Sequence, residues 1–218
     1  MAEYTWSFSS LKDFLNCPKK YNEVKVLQNF TVIASEKMIY GTEVHKALED
    51  YVRDGTELAV NYLKYKPAVD SLKAIPGTKY CEYEMALGHD KMPCDFHDEK
   101  RWVRGIVDLL IVDGDYAFIV DYKTGSDRFA DTSQLKLMAL MTFAFFPEVT
   151  KIKAGLLFVV NNRFITEEYK REDTEFYWNY FVGPLKRLTQ AYDTNVWPAN
   201  PTALCRFCPV QTCEFHRG

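Results

Sequence analysis

The chain has 218 residues, enough for one large domain, and its 47% hydrophobic and 26% charged residues can build a sizeable core. A formal net charge of -3 excludes a globally basic nucleic-acid binder, although a local groove or a bound cation can supply positive charge where it is needed. No apolar run approaches the roughly 20 residues that span a bilayer, and Met1-Ala-Glu-Tyr-Thr-Trp6 matches neither a signal nor a transit peptide. No membrane association and a cytoplasmic location, in a bacterial, archaeal or phage-infected host cell, are therefore expected.

In chain order, Ser7 or Ser9 caps a short helix with Leu11, Phe14 and Leu15 on one face, which ends at Cys17-Pro18. The stretch to Ile33 reads as irregular with some strand character. A helix is predicted over residues 35–53, with Val44, Ala47, Leu48 and Tyr51 on one face and His45 and Glu49 on a neighbouring one. Asp54-Gly55 stops it, and a further helix from Thr56 is expected to bend or break at Pro67. Residues 78–87 read as a strand with Glu82 and Glu84 on one face, and residues 88–100 as a polar loop holding His89, Pro93, Cys94 and His97. Two β-rich runs, 103–112 and 116–122, flank Asp113-Gly114-Asp115 and form a hairpin. A Gly-Ser-Asp loop leads to a helix opened by Asp131 or Thr132 and ended by Pro147. An apolar strand over 152–160, a turn at Asn161-Asn162 and an edge strand over 163–170 follow. The last helix, 173–192, is kinked or split by Gly183-Pro184, and the tail is rich in Pro and Cys. This order predicts one α/β domain with a mixed central sheet flanked by helices. The helix after Lys123 crosses over to a strand parallel to the one that bears Asp121.

The chemistry concentrates on the hairpin. Asp108 stands among Ile, Val and Leu, where an unpaired carboxylate is costly. Asp121 and Lys123 share a face because strand side chains repeat every two residues. An Asp-x-Lys pair at a strand end reads equally well as an exposed ion pair before a turn; Asp108 on the neighbouring strand favours a site. Two carboxylates suit a hard divalent cation such as Mg²⁺ or Mn²⁺. The lysine can act as a base, orient water or stabilise developing phosphate charge. His45 is either a ligand or an ordinary helix histidine, and Gly41, one turn before it, permits close backbone approach. Gln134 either turns back over the strand end toward a phosphate or base, or faces solvent.

Three of the six cysteines form Cys205-x-x-Cys208-x-x-x-x-Cys213, and Cys17 is a fourth if the chain ends meet. Without an export signal this pattern favours metal or cluster binding over disulfides. Four thiolates hold an iron–sulfur cluster or a structural Zn²⁺, with His216 a rival fourth ligand. Cys81 and Cys94 read as plain thiols. Lys19, Lys20, Arg101, Arg104, Arg128 and Arg163 are candidates for nucleic-acid contact, and each reads equally as a solvated charge.

Strung together, Ser7-x-Ser9-x-x-x-x-Phe14-x-x-Cys17-Pro18-x-x-Tyr21, Gly41-x-x-x-His45, Gly105-x-x-Asp108, Asp121-Tyr122-Lys123-Thr124-Gly125 and Gln134 resemble the RecB-type branch of the PD-(D/E)XK nuclease superfamily. The resemblance runs in order from residue 7 to the C-terminus. That branch includes RecB and AddB nuclease domains, CRISPR-associated RecB-like exonucleases and small phage exonucleases. It implies a restriction-endonuclease-like core and a metal-dependent DNA exonuclease acting on single strands or free ends, in recombination, repair or phage DNA processing. His45, Asp108, Asp121 and the backbone carbonyl of Tyr122 would hold Mg²⁺ or Mn²⁺. Lys123 would position or activate water, and Gln134 would join the catalytic set. Cys17 with Cys205, Cys208 and Cys213 would hold a [4Fe-4S] cluster, or Zn²⁺, stapling residues 1–34 to residues 193–218. The alternatives are a CRISPR-adaptation-type trimming nuclease with partner proteins, or a non-catalytic nucleic-acid-binding module that keeps the fold. The chain departs from the family pattern at Met138, where a tyrosine follows the glutamine by four residues, and in a Cys208 to Cys213 spacing one residue short.

Overall fold

A computed structural model describes residues 4–217, the side chain of Phe129 excepted. Residues 1–3, which open the segment read above as free of an export signal, and Gly218 lie outside the described residues. The chain divides into two compact units: residues 35–178, and residues up to 34 together with those from 179 onward.

The larger unit is built on a six-stranded sheet. Its strands are β1 (Thr78–Leu87), β2 (Pro93–Cys94), β3 (Val103–Asp113), β4 (Tyr116–Lys123), β5 (Lys151–Phe158) and β6 (Arg163–Lys170), in the order β2-β1-β3-β4-β5-β6. Only β4 and β5 are parallel, joined by the helix α5 (Ser133–Phe145); the other neighbours are antiparallel. This is the mixed sheet the sequence predicts. The β3–β4 hairpin closes where Asp113 pairs with Tyr116, and Gly114 takes the left-handed conformation (φ +58°) that such a tight turn favours.

α5 carries apolar residues all round and is buried accordingly, from Leu135 through Phe143 with little interruption. It lies so close to β3 that a side chain on Gly105 would come within 3.3 Å of Met141. A second apolar cluster joins α3 (Glu36–Arg53) and α4 (Lys66–Lys73) to the sheet. Val44, Leu48, Val69 and Leu72 pack there with Leu109, Ile111, Val120 and Tyr122.

Several elements differ from the sequence expectation. Residues 56–59 are not helical; a 3₁₀ helix (Val60–Tyr65) precedes α4, and Pro67 opens α4 rather than bending it. Proline suits that position because the first helical N–H has no intrahelical partner to lose. The polar loop after β1 also contributes β2, paired through Ala86↔Cys94 and Leu87↔Pro93. The last helix, α6 (Thr174–Thr194), runs unbroken through Pro184. The division between the units falls within α6.

In the smaller unit, α1 (Phe8–Asn16) starts with a reciprocal cap: the Ser10 amide donates to Ser7 Oγ and the Ser7 amide to Ser10 Oγ. The segment read as irregular is helical instead, with α2 (Pro18–Tyr21) followed by a π-turn over Asn22–Val26. Phe14, Tyr21, Tyr192 and Trp197 form an aromatic cluster that joins the two ends of the chain. Two hydrogen bonds reinforce it, from the Lys19 amide to the Pro198 carbonyl and from Asn200 Nδ2 to the Asn16 carbonyl.

Candidate metal and active site

The site lies in the larger unit, where β3 and β4 part company. Their ladder runs from Asp113↔Tyr116 to Leu109↔Val120 and goes no further. Past that point the Tyr122 amide has no strand partner and donates instead to Asp108 Oδ2, at 2.6 Å. A backbone donor this well buried must be satisfied, and the carboxylate of Asp108 does it. Asp108 is thereby fixed beside Asp121 on the neighbouring strand.

On the α3 side, His45 Nδ1 stands 3.3 Å from the same Asp108 oxygen. Burial opposes a positive charge on His45, but the hydrogen bond and charge of Asp108 outweigh it and raise the pKa of the imidazole. Gly41, one turn earlier on α3, explains how the helix comes so near: a Cβ there would lie 3.2 Å from Thr124 Oγ1, just past the end of β4.

Asp121 is 3% exposed and has two partners. Gln134 Nε2, in the first turn of α5, donates to its Oδ1 at 2.8 Å, and Lys123 Nζ lies 2.5 Å from its Oδ2. The Lys123 contact is an ion pair without hydrogen-bond geometry, so Oδ2 remains a buried oxygen with no hydrogen bond. Lys123 also donates to Gln134 Oε1 at 3.2 Å. Gln134 thus bridges carboxylate and ammonium, and this fixes its amide orientation: NH₂ toward the acid, oxygen toward the cation. Burial first, then the charge of Asp108, push the Asp121 carboxyl above its ordinary range, against the opposing pull of Lys123.

Sequence reasoning missed one member of the group. A carboxylate oxygen of Glu82 lies within 4.8 Å of ligand atoms of both His45 and Asp108, and these three form the only such His/Cys/Asp/Glu group among the described residues. Burial first, then the nearby Asp108 and Glu49, push its carboxyl up to about 7. Antiparallel pairing sets Glu82 opposite Asp108, between Cys81↔Leu109 and Tyr83↔Val107, a register that the residue types alone do not supply.

Three carboxylates and one imidazole, with a buried oxygen lacking a hydrogen bond, are a donor set that fits a divalent cation of the Mg²⁺ or Mn²⁺ kind. Metal-free, such a cluster of like charges is costly.

The other predicted residues lie as follows. Arg163, at the start of β6, pairs with Asp127 at 2.6 Å, so its guanidinium braces the loop after β4. Arg128, in the same loop, is exposed. Lys19 pairs with Glu214, and Lys19 and Lys20 belong to the smaller unit. There, Cys17, Cys205, Cys208 and Cys213 line one cavity together with His216 and the two lysines. All six cysteines are free thiols, and Thr202 N donates to Cys205 Sγ at 3.3 Å. Cys81 and Cys94 belong to the larger unit and do not line this cavity.

The fold and this arrangement of acids and lysine define a nuclease-like α/β protein. A family model of the PD-(D/E)XK nuclease superfamily matches residues 67–213, and the chain belongs to that superfamily. Among solved structures, it is similar to a candidate exonuclease from Eubacterium rectale, with 11% identity and a TM-score of 0.52 over 96% of this chain and 86% of that one. It also aligns with SSO0001, at 14% identity and a TM-score of 0.49, over 100% of this chain and 90% of that one. No curated protein matches it by sequence. No helix among the described residues is long and apolar enough to cross a membrane.

Proposed function

We propose that the chain is a divalent-metal-dependent deoxyribonuclease, an exonuclease that hydrolyses phosphodiester bonds of single-stranded DNA or DNA ends. The observation that carries this reading is the meeting of His45, Asp108, Asp121, Lys123 and Gln134 at one point, where β3 and β4 separate. The exonuclease description of the Eubacterium rectale protein agrees with it. His45, Asp108, Asp121 and the Tyr122 carbonyl would hold Mg²⁺ or Mn²⁺, which when bound neutralises phosphoryl charge and makes water a better nucleophile at neutral pH.

The protein's own groups set up the rest. Gln134 and Lys123 together hold Asp121 in one rotamer. Asp108 is kept in register by the Tyr122 amide. Lys123, one-third exposed while Asp121 is buried, presents its cation on the side from which a scissile phosphate would approach. There it orients the attacking water or donates to the oxygens that gain charge as the bond breaks, a contribution that is strongest in a site with little water. The position after Gln134 in the family's helix motif is Met138, buried within α5, so a substrate contact from that residue is not part of this mechanism.

In the smaller unit we infer a [4Fe-4S] cluster on Cys17, Cys205, Cys208 and Cys213. Its support is that four thiols drawn from both ends of the chain line a single cavity. A brown protein with broad visible absorption, bleached by Cys208→Ala, is the expected result. A colourless protein with stoichiometric zinc would overturn it.

The activity is tested by digesting DNA labelled at one end, single- or double-stranded, with Mg²⁺ or Mn²⁺. Progressive release of small products from an end is expected. Internal cuts alone would contradict exonuclease action, and an inert protein with either metal would favour a binding module.

A further inference from the structure

The backbone of β1 does something unusual at one residue. Glu82 has φ +48°, the left-handed region, in the middle of a strand and without being glycine. Side chains in a regular strand alternate between faces. Here Tyr80 and Tyr83, three residues apart, both place their rings on Phe146, at 5.5 and 5.7 Å. Between them Cys81 packs against the α3 cluster and Glu82 reaches His45 of α3, so two consecutive residues share a face. The same slip occurs directly opposite on β3. Leu109 joins the α3 cluster and Asp108 meets His45, again two consecutive residues on one face, while Gly105 faces Met141 of α5. The pairing register is the same on both sides of the slip, so no residue is inserted. The two strands turn over together, and the turnover delivers two carboxylates to the same imidazole.

Two acids directly opposite each other on a sheet repel, and a non-glycine residue held at positive φ is strained. Lys46 and Arg53 of α3 are engaged by Glu49, Asp50 and Asp54. No ion pair or hydrogen bond neutralises the Glu82 carboxylate among the described residues. Independently, Asp121 beside Asp108 is 3% exposed and keeps an oxygen without a hydrogen bond. Asp121 has Gln134 and Lys123 as partners, whereas Glu82 has none of this kind, and a cation beside Asp108 accounts for it.

We propose that Glu82 is a ligand of the divalent cation, alongside His45 and Asp108, and that the paired slip in β1 and β3 exists to bring it there. This rests on the metal-dependent nuclease reading and adds to it a ligand from β1. One imidazole and two carboxylates give a preformed mixed N/O face beside Asp121, which Lys123 and Gln134 hold in place. The mixed donor set favours Mn²⁺ over Mg²⁺ more than an all-oxygen set would.

The test is Mn²⁺ binding to the DNA-free protein, by calorimetry and by loss of the free-ion electron paramagnetic resonance signal. Glu82→Gln removes the charge at constant shape, and Glu82→Gly removes the side chain while relieving the positive φ. Both variants should bind Mn²⁺ at least about tenfold more weakly, since affinity follows the number of charged ligands. Glu82→Gly should also melt no lower than wild type when metal-free, which separates loss of a ligand from loss of fold. Wild-type Mn²⁺ affinity in either variant would overturn the proposal. Asp108→Asn separates the two levels of the account. If it loses Mn²⁺ while Glu82→Gln keeps it, the nuclease reading stands and Glu82 is not a ligand. If neither variant changes Mn²⁺ binding, both fail.

Discussion

At the scale of single residues, the site depends on acids whose charge is unfavourable until something positive arrives. Glu82 titrates near 7 in the folded chain against an ordinary 4.5, with burial as the main cause. Asp121 is also raised, by burial and Asp108, and His45 is raised by Asp108. Each of these groups holds its proton more tightly folded than unfolded. A group raised on folding stabilises the protein below its unfolded pKa and loses that contribution as the pH climbs through its folded pKa. Metal-free protein should therefore lose thermal stability as pH rises from about 4.5 to above 7. Glu82→Gln should flatten the slope, and saturating Mn²⁺ should reverse part of it, because metal binding takes the deprotonated ligands. Melting curves across that range check this; a midpoint that climbs with pH in metal-free protein would contradict it. Asp108, Asp121 and Lys123 were legible in the sequence because charge inside an apolar hairpin has few explanations. Glu82 was not, because Cys81-Glu82-Tyr83-Glu84 has the plain alternation of an ordinary strand. A positive φ at glutamate leaves no mark in residue type, as it would have at glycine.

At the scale of elements, the sequence yields the strands and their order more readily than the helix boundaries. The β3–β4 hairpin announces itself through Asp113-Gly114-Asp115, and the parallel β4–β5 pair follows from the helix between them. Pro67 and Pro184 were harder, because proline ends a helix in one context and opens or interrupts one in another. The sequence also gives no hint that the β3–β4 ladder stops at Leu109↔Val120. That stop is tertiary. Asp108 competes for the Tyr122 amide and wins it, and the gap so opened is where the acids meet. Gln134 was legible as a residue one turn into a helix, but its role as a bridge between Asp121 and Lys123 needed the packing of α5 against β4.

At the scale of the whole molecule, each compact unit has its own chemistry. The larger one carries the acids, lysine and glutamine on a sheet whose two faces are covered by α3 and α5. The smaller one joins both ends of the chain through aromatic packing and a cavity lined by four thiols. The cysteine spacing revealed three of these thiols, while bringing Cys17 to them required the chain ends to meet. Zinc-finger peptides gain on the order of 10–16 kcal/mol of folding free energy from their metal; a cluster at this cavity would anchor the smaller unit in the same manner. The central claim is that Lys123 and the acids around it cleave phosphodiester bonds. The most direct measurement is the single-turnover cleavage rate of end-labelled single-stranded DNA with saturating Mn²⁺, wild type beside Lys123→Ala. The account predicts a loss of about 100-fold or more with DNA binding retained, as for removal of a charge-stabilising donor. Equal rates in the two proteins would contradict it.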